Sequence, residues 1–345
     1  MHSDQKLLIT GATGGIGLEI LHQLKDQHRL NGVSVYVRDS RRNRKLLAPF
    51  LDAINVFWGD ILDEEQLAPA LKNQDVVFHL AGVIPPAFDE NVARSLHINV
   101  QGTKNVVNGL EKHNPGAFLL FSSSVVVYGD RLTNPEIRVG DPLDPDQYDQ
   151  YGVAKIQAEE LIQKSTLNWS ILRLSAIMGM GNHKVSGIIF HVPLETRMEC
   201  CSLRDTARAF VHSLNHLEAL HNRIFNLGGG EHFRPTYGEF VGRAFELFGL
   251  GKLNFPEHSF ATCNFHCGDY MDGDELEEIL HFRSDTLDSY FKEFATTVPA
   301  WQRLLTRPFA GIVKWYLSRL SEPLKAYRTK DEAHMLRFFG TKTLN

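Results

Sequence analysis

Tyr151 and Lys155 stand four residues apart at the start of a helical pattern, Tyr151-Gly152-Val153-Ala154-Lys155, so both side chains fall on one helical face. A lone phenol, with a pKa of about 10, is a poor acid or base at neutral pH. A nearby ammonium stabilises the phenolate, and the phenol can then exchange a proton with a substrate oxygen. Upstream, Ser122-Ser123-Ser124 ends an apolar run, Phe118 to Phe121, and supplies hydroxyls to hold that oxygen. Proton exchange at a carbonyl or alcohol oxygen is half of a hydride-transfer reaction. The other half needs a dinucleotide.

The elements that would position such a site begin at the N-terminus. Leu7-Leu8-Ile9 reads as a buried strand, Gly11-Ala12-Thr13-Gly14-Gly15-Ile16-Gly17 as a glycine turn, and Ile16, Ile20, Leu21 and Leu24 as a helix. Gly11 permits the turn and Gly14 lets backbone N–H groups approach a pyrophosphate. Gly17 lets helix and strand pack closely. The helix N-terminus adds partial positive charge. The glycines fit two spacings, 11/14/17 and 11/15/17. The alternative, a strand-to-helix turn without a ligand, has to be weighed against the motifs downstream.

A second strand, Val33–Val37, ends in Arg38-Asp39-Ser40-Arg41-Arg42. An acid at this point favours NAD by accepting the ribose hydroxyls, whereas an Arg neutralises the 2′-phosphate of NADP. With Arg38 first and Asp39 displaced by one, the expected cofactor is NADP, with NAD the alternative. For at least two of Arg41, Arg42, Arg44 and Lys45 the expectation is a solvated helix start. A third strand, 54–58, leads into Gly59-Asp60-Ile61, where Asp60 either meets the adenine or caps the next helix. A fourth strand enters the small-residue turn Leu80-Ala81-Gly82. Strands alternating with helices predict an α/β fold with a doubly wound parallel sheet, ligands lying at its C-terminal edge. A helix near 90–112 carries Asn99, and residues 129–150 form a loop rich in Pro and Asp.

At this point the chain resembles the extended branch of the short-chain dehydrogenase/reductase superfamily. The resemblance rests on ThrGlyAlaThrGlyGlyIleGly at 10–17, HisLeuAlaGly at 79–82, PheSerSerSerValValValTyrGly at 121–129 and TyrGlyValAlaLys at 151–155, with 27 positions from Ser124 to Tyr151. It spans roughly residues 5–290. It implies a Rossmann-type domain over 1–175 and a smaller substrate-binding lobe over 176–298, interleaved with the last Rossmann elements. A basic amphipathic extension, 299–345, follows. It also implies catalytic roles for Ser124, Tyr151 and Lys155. Cofactor contacts would come from Gly11, Thr13, Gly14, Gly15, Ile16, Gly17, Arg38, Asp60, Ile61, Leu80, Ala81, Gly82, Asn99, Ser122, Tyr151, Lys155 and Ser175. Asn99 would position the Lys through water. A Thr in place of Ser124 would be usual in the branch's dehydratases, so dehydration is disfavoured.

Two activities compete within the branch. ValArgAspSer at 37–40 looks like the cofactor stretch of the NADP-dependent dihydroflavonol-reductase group, which implies reduction of a carbonyl or oxidation of a secondary alcohol. PheSerSerSer…ValTyrGly is close to the signature of NAD-dependent nucleotide-sugar epimerases. Only about two dozen residues separate Gly179 from Arg204-Asp205. They include His183, Lys184 and Arg197 but no evident diphosphate clamp, which favours a small or apolar carbonyl substrate. A cofactor-sensing or scaffold protein is the non-enzyme alternative, though such relatives typically lose the Tyr or the Lys.

The remaining features bound the reading. A net charge of −5 argues against a nucleic-acid partner. Four cysteines in 345 residues make no disulfide framework, and the first residues are polar with no signal-peptide pattern, which points to a reducing, cytoplasmic setting. Cys263-Asn264-Phe265-His266-Cys267 lacks a second ligand pair at useful spacing, so no metal is expected. Asp269, Asp272, Asp274 and Glu275 do not meet the calcium-loop pattern; Met271 to Leu280 reads as a helix start, and Gly228–Gly230 as a plain turn. The stretch 301–330 holds seven Lys/Arg and one acid, with apolar residues near helical spacing and Pro308 starting or interrupting the helix. Three readings stay open for it: a docked helix, an interfacial membrane helix with Trp301 and Trp315 as anchors, and a protein-partner surface. A homodimer through the helices near 90–112 and 151–165 is a further implication of the resemblance.

Overall fold

The computed structural model describes residues 5–145, 149–180, 186–263 and 265–340. Gly181, His183, Lys184 and Asn264 therefore lie outside the described residues.

Seven parallel strands form the central sheet, in the spatial order Arg223–Leu227, Asn168–Leu174, Phe118–Ser124, Val76–His79, Leu7–Thr10, Val33–Val37, Asn55–Trp58. The strands read as near-continuous apolar runs because both faces of the sheet are covered. Leu7 and Ile9 point into one core with Ile20, Leu24, Val35, Phe78 and Phe210. Leu8 points the other way, with Val77, Leu119, Val106 and Ile162. Helices Gly15–Asp26 and Leu203–Ser213 pack together on the first face. Glu64–Leu71, Val92–His113 and Gln150–Gln163 cover the second.

The chain order reverses beside Leu7–Thr10, which pairs with Val33–Val37 on one side and Val76–His79 on the other. Such a switch point leaves a crevice at the strands' C-terminal ends. Buried His79 locks it. Its Nδ1 lies 2.8 Å from Thr10 Oγ1 and its Nε2 3.0 Å from Thr103 Oγ1. Burial, reinforced by the Lys155 charge, pushes its pKa down to about 3, so the ring is neutral.

The second lobe is built on a separate aromatic core that includes Phe190, Phe240, Tyr290, Phe291 and Phe294. The last sheet strand, Arg223–Leu227, and the helix Leu203–Ser213 come from after residue 176. The segment from 300 onwards is not one helix. It runs as Ala300–Thr306, Ala310–Arg319, Glu322–Thr329 and Glu332–Phe339, with Pro308 inside a 3-10 turn, Arg307–Phe309. Residues 273–280 are helical as expected. Gly228–Gly230 is more constrained than a plain turn. A Cβ at Gly228 would meet the Glu199 carboxylate, and one at Gly229 would lie 2.5 Å from the Cys200 carbonyl oxygen.

Candidate active site

Gly11 has φ +75°, and a Cβ there would lie 2.7 Å from the Ala81 nitrogen, so the glycine turn touches the Leu80-Ala81 backbone across the switch point. A Cβ at Gly17 would lie 2.6 Å from Ala12 Cα, which makes Gly17 a packing glycine. Gly14 is the helix N-cap, and no acid occupies the first turn of Gly15–Asp26. Gly15 and Ile16 open that helix.

Above this floor lies a cavity of about 260 Å³. Its lining includes the expected Gly11, Thr13, Gly14, Arg38, Asp60, Ile61, Leu80, Ala81 and Gly82. It also includes Tyr36, Arg42, Asn43, Gly59, Val83 and Ile98. Asn43 was not foreseen. The signal was present in Ser40, whose hydroxyl caps the helix Arg41–Leu47 by accepting from the Asn43 backbone N–H. That cap turns the Asn43 side chain back to donate to the Arg38 carbonyl at 2.8 Å.

The charged residues at the rim separate into two groups. Asp39 is held by Arg44 in a two-pronged pair, both contacts at 2.7 Å, and the Arg44 hydrogen bond holds its carboxyl below the usual range. Arg38 and Arg42 remain on the cavity wall. The solvated reading suits exposed Arg41 and Lys45, whereas Arg42 faces the cavity.

Asp60 does not cap the following helix. Asp63 does, accepting from the backbones of Glu65 and Gln66 at 3.0 Å. Asp60 closes the tighter turn to Leu62 N and contributes to the cavity wall. Its carbonyl accepts from the Tyr36 hydroxyl at 2.9 Å, the close contact that leaves no room for a side chain at Gly59.

Asn99 lies just beneath. Its Oδ1 accepts from Val83 N at 2.7 Å and its Nδ2 donates to Val83 O at 2.9 Å, so it fixes the turn that follows Gly82.

Ser122, Ser124, Tyr151, Lys155 and Ser175 gather at the adjoining edge of the sheet. Asp149 caps the helix Gln150–Gln163, accepting from Gly152 N at 3.0 Å, and so sets the first turn that carries Tyr151. The Ser124 hydroxyl faces the Tyr151 phenol and favours its ionised form. Lys155 Nζ lies 5.8 Å from the Tyr151 ring centre and donates to the Ser122 carbonyl at 2.6 Å. The Ser122 hydroxyl reaches the His79 carbonyl at 3.3 Å, one residue before the cavity wall. Burial lowers the Lys155 pKa to about 8, with Glu159 opposing. Burial also raises the Tyr151 phenol, helped by Asp149 and opposed by Ser124. The expected lowering by the ammonium is not found: desolvation sets the direction of the shift. Phe88, fully buried, meets the Tyr151 ring edge-on at 5.5 Å, a neighbour that no motif announced.

Ser123 faces the opposite way. Its hydroxyl donates to Glu159, which pairs with Arg173 at 2.7 Å deep in the protein. Arg173 also donates to the Tyr128 hydroxyl at 2.8 Å, and Tyr128 donates to Asn226 at 2.7 Å.

These features fit a dinucleotide. The crevice lies at the switch point, its floor excludes side chains, and cations stand at one end. At the other end Ser175 follows Leu174, the register partner of Ser124, and its hydroxyl is buried without a partner in the structure. A buried hydroxyl left unpaired is costly unless a ligand completes it. Arg197 pairs with Asp269, so it is not held open as a diphosphate clamp. Among the described residues, no group of three or more His, Cys, Asp or Glu is placed to hold a metal ion.

The sequence profile of the NAD dependent epimerase/dehydratase family matches residues 7–228. A Mycobacterium tuberculosis 3 beta-hydroxysteroid dehydrogenase/Delta 5→4-isomerase is 28% identical over 226 residues, 61% of this chain and 58% of that protein. An Escherichia coli O157:H7 N-acetyl-alpha-D-glucosaminyl-diphospho-ditrans,octacis-undecaprenol 4-epimerase is 29% identical over 187 residues, 52% of this chain and 51% of that one. The matches thus span a little over half the length of these relatives. Among solved structures, DesIV, a dTDP-glucose 4,6-dehydratase from Streptomyces venezuelae with NAD bound, superposes with a TM-score of 0.69 at 20% identity, covering 86% of this chain and 98% of that one.

Proposed function

Because the chain belongs to the NAD dependent epimerase/dehydratase family, we propose that it is an NADP(H)-dependent oxidoreductase acting on a carbonyl or secondary alcohol. The observation that carries this reading is the meeting of Ser124, Tyr151 and Lys155 at the sheet edge that adjoins the cavity. When bound, the nicotinamide cofactor supplies or accepts the hydride. Ser124 holds the substrate oxygen, and Tyr151 gives that oxygen its proton or takes it back. Lys155 supplies positive charge beside the phenol, from a point fixed by the Ser122 carbonyl. The raised Tyr151 pKa keeps the phenol protonated, which suits donation to a carbonyl oxygen.

Arg38 and Arg42 on the cavity wall, with Asp39 drawn away by Arg44, favour NADP over NAD. An apolar substrate is the better fit. By their names, two relatives act on a steroid and on a polyprenol-linked sugar, and Phe88 sits beside Tyr151. The homodimer through helices Val92–His113 and Gln150–Gln163 belongs to the same reading, and sedimentation of the purified chain tests it.

The second reading is an NAD-dependent nucleotide-sugar epimerase. It is favoured by solved neighbours that hold NAD with UDP or with UDP-glucose. Calorimetric titration of nucleotide-stripped protein with NADPH and NADH separates the two. A preference for NADPH of tenfold or more, about 1.4 kcal/mol, supports the reductase. Equal or tighter NADH binding, or a nucleotide that cannot be stripped, overturns the NADP assignment and sends nucleotide sugars to the assay first. Net oxidation of NADPH by a carbonyl panel then distinguishes reduction from epimerisation, which consumes none.

A further inference from the structure

Residues 300–320 carry four cations, Arg303, Arg307, Lys314 and Arg319, and no Asp or Glu, in a chain whose net charge is −5. They fold as Ala300–Thr306, a 3-10 turn and Ala310–Arg319. The second helix is apolar on two sides. Val313 and Leu317 pack into the lobe core, while Ile312, Trp315 and Tyr316 face outwards, 64%, 55% and 56% exposed. The first helix and the turn add Trp301, Leu305 and Phe309, at 66%, 60% and 56%. A surface helix ordinarily turns polar residues outwards. A run of exposed apolar side chains rimmed by charge marks an interaction site.

We propose that this face docks on an anionic lipid bilayer and lies in the plane of its headgroups. Charge complementarity selects this occupant. Arg303 and Lys314 donate into the lobe, to Ala295 and to Lys252 and Asn254, while Arg307 and Arg319 stay exposed. A second copy packed symmetrically on the same face would set these two arginines against their own copies, with no acid in 300–320 to offset them. Anionic headgroups meet both halves of the pattern. Trp and Tyr rings settle at the boundary between acyl chain and headgroup, and the exposed Arg307 and Arg319 reach the phosphates. Arg319 already stands 4.0 Å over the Trp315 ring, pairing cation and aromatic anchor. No helix among the described residues is long and apolar enough to cross a membrane, so the contact is interfacial. The face is tied to the substrate lobe, since Gly187 packs so closely on Leu320 that a Cβ would lie 2.6 Å from the Leu320 carbonyl oxygen.

The test is sedimentation of the full chain with vesicles of phosphatidylcholine alone and of equimolar phosphatidylcholine and phosphatidylglycerol. Binding is expected to the anionic vesicles and to weaken as salt rises. Two variants, Trp301→Ser/Ile312→Ser/Trp315→Ser and Arg307→Glu/Arg319→Glu, are each expected to lose more than about tenfold in vesicle partition. All five side chains are exposed, and an unchanged thermal midpoint verifies that the fold survives. Absence of binding to either vesicle, or binding that both variants retain, overturns the proposal. So does a concentration-dependent dimer that both variants dissolve without any vesicle binding, which would give the face to a second copy.

Discussion

Lys155 Nζ donates to the Ser122 carbonyl at 2.6 Å, and this bond joins the helix that carries Tyr151 to the strand that carries Ser124. Lys155 is almost fully buried, 7% exposed, and desolvation lowers its pKa to about 8. The same residue therefore weakens the empty fold while equipping the site.

The first prediction concerns that trade. Between pH 8 and its unfolded value near 10.5, Lys155 is neutral in the folded protein and protonated in the unfolded chain. The unfolded state then binds more protons, so stability contributed at this residue rises with pH through that window. Lys155→Met is expected to be more stable than the parent below pH 8, by about 1–3 kcal/mol, and to be catalytically dead. The stability gap should narrow as pH climbs from 8 towards 10. Urea denaturation of both proteins across that range checks it, and a gap that stays constant with pH refutes the assignment.

Tyr151→Phe keeps the ring against Phe88 and removes only the hydroxyl. Turnover of a carbonyl substrate should fall by about 10²–10⁴-fold, with NADPH affinity within a factor of about 3 of the parent. Ser124→Ala should lose less, because the phenol remains. Steady-state kinetics beside calorimetry separates the two effects.

The rim cations set cofactor choice. Arg38→Ala/Arg42→Ala should cost at least about tenfold in NADPH affinity and leave NADH nearly unchanged. Arg44→Ala acts in the opposite sense to a simple loss of charge at the site. It releases Asp39 from its pair, and the freed carboxylate should move preference towards NADH. An Arg44→Ala protein with unaltered selectivity would show that Asp39 does not reach the cofactor.

The buried pair of Arg173 and Glu159 ties the strand Asn168–Leu174 to the helix Gln150–Gln163 behind the serines. Arg173→Leu leaves a carboxylate without its partner in the interior and should cost about 3–5 kcal/mol. The double variant Arg173→Leu/Glu159→Leu should recover a large part of that loss. Chemical denaturation of both measures it. A double variant as unstable as the single one would assign the stabilisation to the hydroxyls of Ser123 and Tyr128 instead.

What the sequence by itself determined was local. Strand 7–10, the turn at Gly11 and the helix from Gly15 follow from a short apolar run, glycines where no Cβ fits, and helical spacing, all within twenty residues. The pairing of Tyr151 with Lys155 follows from one helical turn. The parallel, doubly wound character of the sheet follows from the alternation of strands with helices, while the spatial order of the strands came from the tertiary structure. Only the tertiary structure decided the features whose partners lie far along the chain or compete for one group. Asp39 is turned from the rim because Arg44 reaches it first, and Asp60 lost the helix cap to Asp63, three residues nearer the helix. Ser123 and Ser124 are neighbours of the same type, but strand alternation sends one to a buried carboxylate and the other to Tyr151. Desolvation, which depends on everything packed around a group, set the direction of the Tyr151 shift against what its neighbouring charge alone suggested. In the extension, spacing predicted an apolar face, but only the packing of Val313 and Leu317 inwards showed which apolar residues were left outside.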